Sequence, residues 1–300
     1  MYEQIAANKR RTFLLIVGAV MFLGAIGYAI GVFWGTGPTG LIIALVVAGA
    51  LSIGSFLYGD KLVLASTRAR EISAEEAPRL HNIVEGLAIA AGIPKPKVYV
   101  VPEAAPNAYA TGRDPEHASI AVTKGLLETM NRVELEGVIG HELAHIVDRD
   151  MLVGTVVATV VGAGILLAEF FMRSWWWGGF GGRRGNDRGG GAALPLFIVG
   201  FVLLALAPIL GQVIRLAVSR NREYLADAQG VLLTRYPPGL IEALRKLGAS
   251  STAMHSANNA TAHLWLNQPS RFEGERTGRL ESLLSTHPPI AERIRRLQEM

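Results

Sequence analysis

Hydrophobic positions along the chain fall into two regimes. Four stretches are apolar and nearly uncharged: Phe13 to Trp34, Leu41 to Gly59, Leu152 to Met172, and Ala192 to Ile214. Each approaches or exceeds the roughly 20 residues a helix needs to cross about 30 Å of hydrocarbon, so the pattern predicts four transmembrane helices in two hairpins. Outside these runs the chain is periodic and polar. Ser73, followed by Glu75 and Glu76, predicts a helix N-cap, with the helix running to Ala91 before Gly92 and Pro94. Lys97–Val101 and Ser119–Thr123 have the length and β-branching of strands, and the Pro/Asn/Gly-rich stretch between them, Pro102 to His117, reads as a loop. Leu126 to Asp150 reads as one helix with an apolar face of Val133, Leu135, Val138, Ile139 and Leu143, running directly into the third apolar run. Shorter helices are predicted over Glu223 to Leu233, Leu240 to Leu247, and Ile290 to Met300.

Two strands among many helices predict a mainly helical α+β fold carried by four transmembrane helices. The chain divides accordingly into an anchor hairpin (1–59), a first soluble block (60–151), a second hairpin with a glycine-rich loop at 178–191 (152–214), and a second soluble block (215–300). Half the residues are hydrophobic and the mean hydropathy is +0.31, an excess that one ordinary core in 300 residues would not absorb. The first run follows Lys9, Arg10 and Arg11 like a secretory signal, yet it is too long for one and reads as an uncleaved anchor. Trp175, Trp176 and Trp177 suit a headgroup boundary.

The net charge of +4 does not indicate a nucleic-acid partner, because the basic residues flank the apolar runs. Lys9, Arg10 and Arg11 precede the first, Lys61, Arg68 and Arg70 follow the second, and Arg215, Arg220 and Arg222 follow the fourth. This positive-inside pattern puts the N-terminus and both soluble blocks in the cytoplasm, although Arg173, Arg183, Arg184 and Arg188 oppose it in the loop that would lie outside. The glycine-rich loop lacks the order of a phosphate loop, so no nucleotide is expected. Cysteine is absent, so any metal would be held by His, Asp or Glu.

Candidate chemistry centres on His141-Glu142-Leu143-Ala144-His145. Helical residues four apart share a face, so both imidazoles can address one zinc ion while Glu142 serves as base. By itself the pentad is equally a surface helix with solvated histidines. A catalytic zinc also wants a third protein ligand. The metzincin spacing fails, since Asp148 and Met151 stand where Gly and His are required. Glu169 would lie about 36 Å from His145 along a continuous helix. Beyond the fourth run, Glu223 and Asp227 face one way, and an antiparallel hairpin would return them beside the pentad. Glu223 then reads as the ligand and Asp227 as the acceptor orienting a histidine ring; on spacing alone both read more simply as solvated helix carboxylates.

Taken together, these residues resemble the HtpX-type membrane zinc peptidases, relatives of the CAAX prenyl proteases. The resemblance spans Pro106–Gly112, the pentad, the Glu223–Asp227 segment and Ser285-Thr286-His287-Pro288-Pro289. It implies a gluzincin-like peptidase domain in which His141, His145 and Glu223 bind one Zn²⁺ and Glu142 is the catalytic base. It further implies that Asn107 belongs to an edge pairing with substrate backbone, and that His287 and Arg293 sit near the substrate or oxyanion. Read without it, Asn107 is a turn residue and His287 a helix-start residue. His81, His117, His255 and His263 match no motif and read as structural. The expectation is a zinc endopeptidase for misfolded or membrane proteins, in contact with lipid at the cytoplasmic face of a bacterial inner membrane. Rivals are a processing protease for lipidated peptides, a zinc-holding scaffold, for which Glu142 would be superfluous, and a transporter, for which the spans offer only Glu169.

Overall fold

The computed structural model describes residues 38–158, 220–254, 261–267 and 288–300, with scattered positions before residue 38. The third and fourth apolar runs beyond residue 158, the glycine-rich loop, the Trp175–Trp177 cluster, Glu169, His255 and His287 lie outside the described residues. Helix α1 (Pro38–Ser66) is long and apolar enough to cross a membrane. It exposes Ile42, Ile43, Val46, Val47 and Ile53, as lipid contact requires. It runs past Gly59 through Asp60 and Lys61, and its last turn buries Val63 and Leu64 against the sheet.

Four strands form the sheet, where two were expected: β1 (Arg70–Glu71), β2 (Lys97–Val101), β3 (Ala108–Gly112) and β4 (Ala118–Thr123). The spatial order is β1-β2-β4-β3, with β2 and β4 parallel and the outer pairs antiparallel. β3 lies inside the stretch read as a loop. Its sequence, Ala-Tyr-Ala-Thr-Gly, dilutes two strand-favouring residues, Tyr109 and Thr111, with Ala and Gly, and pairing with β4 along its whole length decides its conformation. The faces alternate as a pleat requires. Val98, Ala108, Ala110, Ile120 and Val122 join the main helical core, whereas Val101, Tyr109 and Ala121 pack with Val63, Leu64 and Trp265 on the opposite face.

Helix α2 (Pro78–Ala91) starts later than its Ser73 signal. Ser73 and Glu76 do exchange reciprocal bonds, Ser73 N–H to Glu76 Oε2 at 2.9 Å and Glu76 N–H to Ser73 Oγ at 3.3 Å. They close one turn only, because the residue before Pro78, Ala77, is pushed out of the helical region. Gly92 ends α2 in the left-handed conformation as expected, φ 67°.

The long helix predicted over Leu126 to Asp150 is two helices, α3 (Lys124–Thr129) and α4 (Arg132–Val147). Asn131 interrupts it by capping Glu134 N–H while the Glu134 carboxylate accepts from Asn131 N–H. At the other end α4 stops at Asp148, Arg149 turns left-handed at φ 56°, and a new helical segment covers 151–158. The pentad helix therefore does not continue into the third apolar run. α5 (Arg220–Thr234), α6 (Pro237–Ala249) and α7 (Ile290–Gln298) complete the described elements, with α4 packed between α5 and α6.

Candidate metal centre

His141 and His145 project from α4 with their Nε2 atoms 3.1 Å apart, and each lies 3.8 Å from a different oxygen of Glu223 on α5. One donor atom from each residue falls within 4.8 Å of the others. These three side chains would hold one Zn²⁺ ion, whose bonds to nitrogen of about 2.0–2.1 Å fit that spacing. Two imidazole nitrogens aimed at one point beside a buried carboxylate suit a cation better than any hydrogen-bonding scheme among themselves.

The opposite ring nitrogens are both spoken for by carboxylates. His141 Nδ1 lies 2.9 Å from Asp227 Oδ1, four residues beyond Glu223 on the same face of α5. His145 Nδ1 lies 3.0 Å from each oxygen of Asp150. A proton on each Nδ1 leaves each Nε2 lone pair directed at the metal position. Asp150 went unrecognised in the sequence because a continuous helix would carry it away from His145. The break at Asp148–Arg149 folds it back, and the left-handed Arg149 is the feature that allows this.

Arg293, on α7, is buried behind the histidines rather than on an open surface. It grips Asp227 with two bonds, Nε to Oδ2 at 2.8 Å and Nη2 to Oδ1 at 2.6 Å. It also lies 3.8 Å from Glu223 Oε2 and donates to Leu266 C=O at 3.3 Å. Nη2 is 3.3 Å from His141 Nδ1, but that nitrogen has its shorter contact with Asp227. Asn107, expected on a substrate edge, stands at the start of β3, with its amide bonded to the backbone of Asn267. His81 and His263 each bond a main-chain carbonyl, Ile72 and Gly154, and His117 pairs with Asp114.

Burial and charge set the protonation of this cluster. Burial raises the Glu142 carboxyl, with Glu223 adding to the effect against His145 and Arg293, to about 7. Burial would lower His145, but Asp150 above all, then Glu223 and Glu142, carry it up to about 10 in the metal-free site. His141 is lowered, chiefly by burial. Asp227 would be raised by burial, yet Arg293 and His141 bring it down to about 2. A cation held by His141, His145 and Glu223 would take the place of the His145 proton as the positive partner of these carboxylates.

The profile of peptidase family M48 matches residues 74–300. Curated relatives named "Protease HtpX homolog" align over the whole chain: 46% identity in Thermoanaerobacter pseudethanolicus, covering 98% of that protein, and 44% in Streptococcus thermophilus, covering all of it. A third, from Streptococcus mutans, is 45% identical over full length. Among solved structures, the crystal structure of S. mikatae Ste24p shares the fold, with a TM-score of 0.51 at 20% identity over 99% of this chain and 67% of that one. With the family profile covering most of its length around a His-His-Glu zinc cluster, the chain belongs to peptidase family M48, as a membrane-associated metalloprotease of the HtpX type.

Proposed function

We propose that this metalloprotease is an endopeptidase of membrane-protein quality control, cleaving misfolded or membrane proteins at the cytoplasmic face of a bacterial inner membrane under stress. The observation that carries the reading is the convergence of His141, His145 and Glu223 on one point, with Glu142 buried beside them. Zn²⁺ bound there supplies Lewis-acid polarisation of a peptide carbonyl and a water acidified to lose its proton near neutral pH. Glu142 takes that proton and hands it to the departing amine. Asp227 and Asp150 fix the two rings, and Arg293 acts through Asp227 as a positioning residue. His287 is proposed as a donor to the developing oxyanion, as the resemblance to the HtpX-type peptidases implies.

The outer strand β3 packs against α4 and supplies a backbone edge beside the metal residues. A peptide pairing there would be held by main-chain bonds that ignore its side chains, which suits a broad substrate range. The test is zinc-dependent cleavage of casein by the detergent-purified chain, against Glu142→Gln and a chelator control. Glu142→Gln should retain zinc and lose turnover by about 10²–10⁴-fold; cleavage undiminished in that variant would remove Glu142 from the mechanism.

A further inference from the structure

The register of β3 decides which of its main-chain groups face outwards. Asn107 C=O accepts from Thr123 N–H at 2.9 Å on the β4 side, so Tyr109 and Thr111 also face β4 while Ala108, Ala110 and Gly112 face away. These outward positions are the ones an added strand would use. Two of them are already engaged. Leu266 N–H donates to Ala108 C=O at 2.9 Å, and Gly112 N–H lies 3.4 Å from Thr155 Oγ1.

The Asn107 side chain makes a further contact of the same kind. Its Oδ1 accepts Asn267 N–H at 3.0 Å and its Nδ2 donates to Asn267 C=O at 2.7 Å. A carboxamide bonding both main-chain groups of one residue reads backbone only, so it would hold an extended peptide of any sequence in the same way. The neighbouring Leu266 C=O accepts from Arg293, which holds the Asp227 partner of His141. Asn267 thus sits beside the metal cluster with the bonds of a bound strand.

We propose that Asn267 is an intramolecular competitor for the Asn107 amide, which substrate backbone must displace. The inference rests on the protease reading above. Burial separates what moves from what stays. Trp265 and Leu266 are core residues, with Trp265 edge-on to Tyr109 at 4.7 Å, and they form a fixed end wall at Ala108. Asn267 is only half-buried, and among the described residues its side chain is tied by one bond, Nδ2 to Leu247 C=O at 3.1 Å. Substrate backbone would take over the Asn107 clamp as Asn267 leaves it.

Two variants of the full chain test this. Asn267→Pro removes the N–H that Asn107 captures, and Asn267→Ala removes the tie to Leu247. Each should lower KM for casein about threefold to tenfold, the Boltzmann factor of one net hydrogen bond, with kcat and zinc content unchanged. KM unchanged or raised with zinc retained would make the Asn107–Asn267 pair a structural joint and overturn the proposal. A readout independent of turnover is hydrogen exchange in zinc-loaded Glu142→Gln. Saturating casein should deprotect the Asn267 amide while Leu266 stays protected, and unchanged protection would overturn the proposal. Absence of zinc-dependent cleavage in every form would sink the protease reading, while the exchange result would still decide whether Asn267 leaves its clamp.

Discussion

Gly230→Ala should weaken zinc binding from a position that supplies no ligand side chain. A Cβ at residue 230 would stand 2.8 Å from His141 N and 3.0 Å from both His141 Cα and Gly140 C. All three are main-chain atoms, so no rotamer change relieves the overlap. The closest approach is about 0.6 Å short of the 3.4 Å at which ordinary contact begins, and α5 must lift off α4 by roughly that much. Glu223, Asp227 and Gly230 occupy one face of α5, at spacings of four and three residues. Asp227 is about 4.5 Å along the axis from the clash and Glu223 about 10.5 Å. A shift of that size would take the 2.9 Å Asp227–His141 contact to the limit of hydrogen-bond range and widen the gap between Glu223 and both imidazoles. Loss of an orienting contact of this kind costs about 10–100-fold in metal affinity. The overpacking costs about 1–3 kcal/mol, offset by up to about 1 kcal/mol of helix propensity. Gly86→Ala is the control, since its Cβ would meet nothing within 4 Å on the exposed side of α2. It should gain about 0.5–1 kcal/mol and keep zinc affinity. Both are read by competition with a zinc-sensitive chelating dye and by thermal unfolding in detergent. Wild-type zinc affinity in Gly230→Ala would refute the idea that close helix approach sets the ligand geometry.

Asp150→Asn should weaken zinc binding by about 10–100-fold, because a neutral amide no longer fixes the proton on His145 Nδ1; unchanged affinity by dye competition would count against the contact. Arg293→Met should destabilise the fold by about 3–5 kcal/mol by stranding the buried Asp227 carboxylate. Arg293→Lys should restore little of it, since an ammonium cannot reproduce the two-pronged grip, and full rescue in chemical denaturation would argue for charge alone. Zinc affinity should climb by about tenfold per pH unit from pH 7 towards 10, as the His145 proton it must displace is lost. Titration calorimetry in buffers of different ionisation enthalpy should register proton release, and none at pH 7 would refute the charged metal-free His145. The sign for the metal-free fold is opposite. A raised His145 pKa stabilises it fully below about 6.5, and that contribution is lost as pH rises through about 10.

The local parts of the site were legible because their signals are local. The pentad fixes two donors on one helix face by spacing alone, and Glu223 with Asp227 repeats the same spacing on a second helix. What stayed hidden depended on contacts distant in sequence. β3 has strand geometry because β4 pairs with it, and its own Ala and Gly residues gave no such signal. The Asn131/Glu134 capping box was readable in principle, as Asn-x-x-Glu ahead of an apolar run, but the apolar periodicity on either side masked it. Arg293 was expected near the substrate only because the family resemblance implies it. Its burial against Asp227 follows from the packing of α7 on α5, which no short motif encodes.

The break after α4 links fold to chemistry most directly. Had the pentad helix run on into the third apolar stretch, Asp150 would have pointed about 140° away from the preceding ring's direction. His145 would then have lacked a carboxylate on Nδ1. Stopping at Asp148 and turning through Arg149 gives each metal-facing histidine its own orienting carboxylate, one from the next turn of chain and one from a helix 82 residues on from His145, at Asp227. The two supports differ in kind. Asp227 is pinned by Arg293 and buried on all sides, so His141 is the rigid donor. Asp150 is held by a short turn beside the partly exposed His145, so this half of the site can adjust as metal and substrate arrive. Metal affinity should therefore be more sensitive to Asp227→Asn than to Asp150→Asn. Equal losses would mean that the turn is as stiff as the buried ion pair.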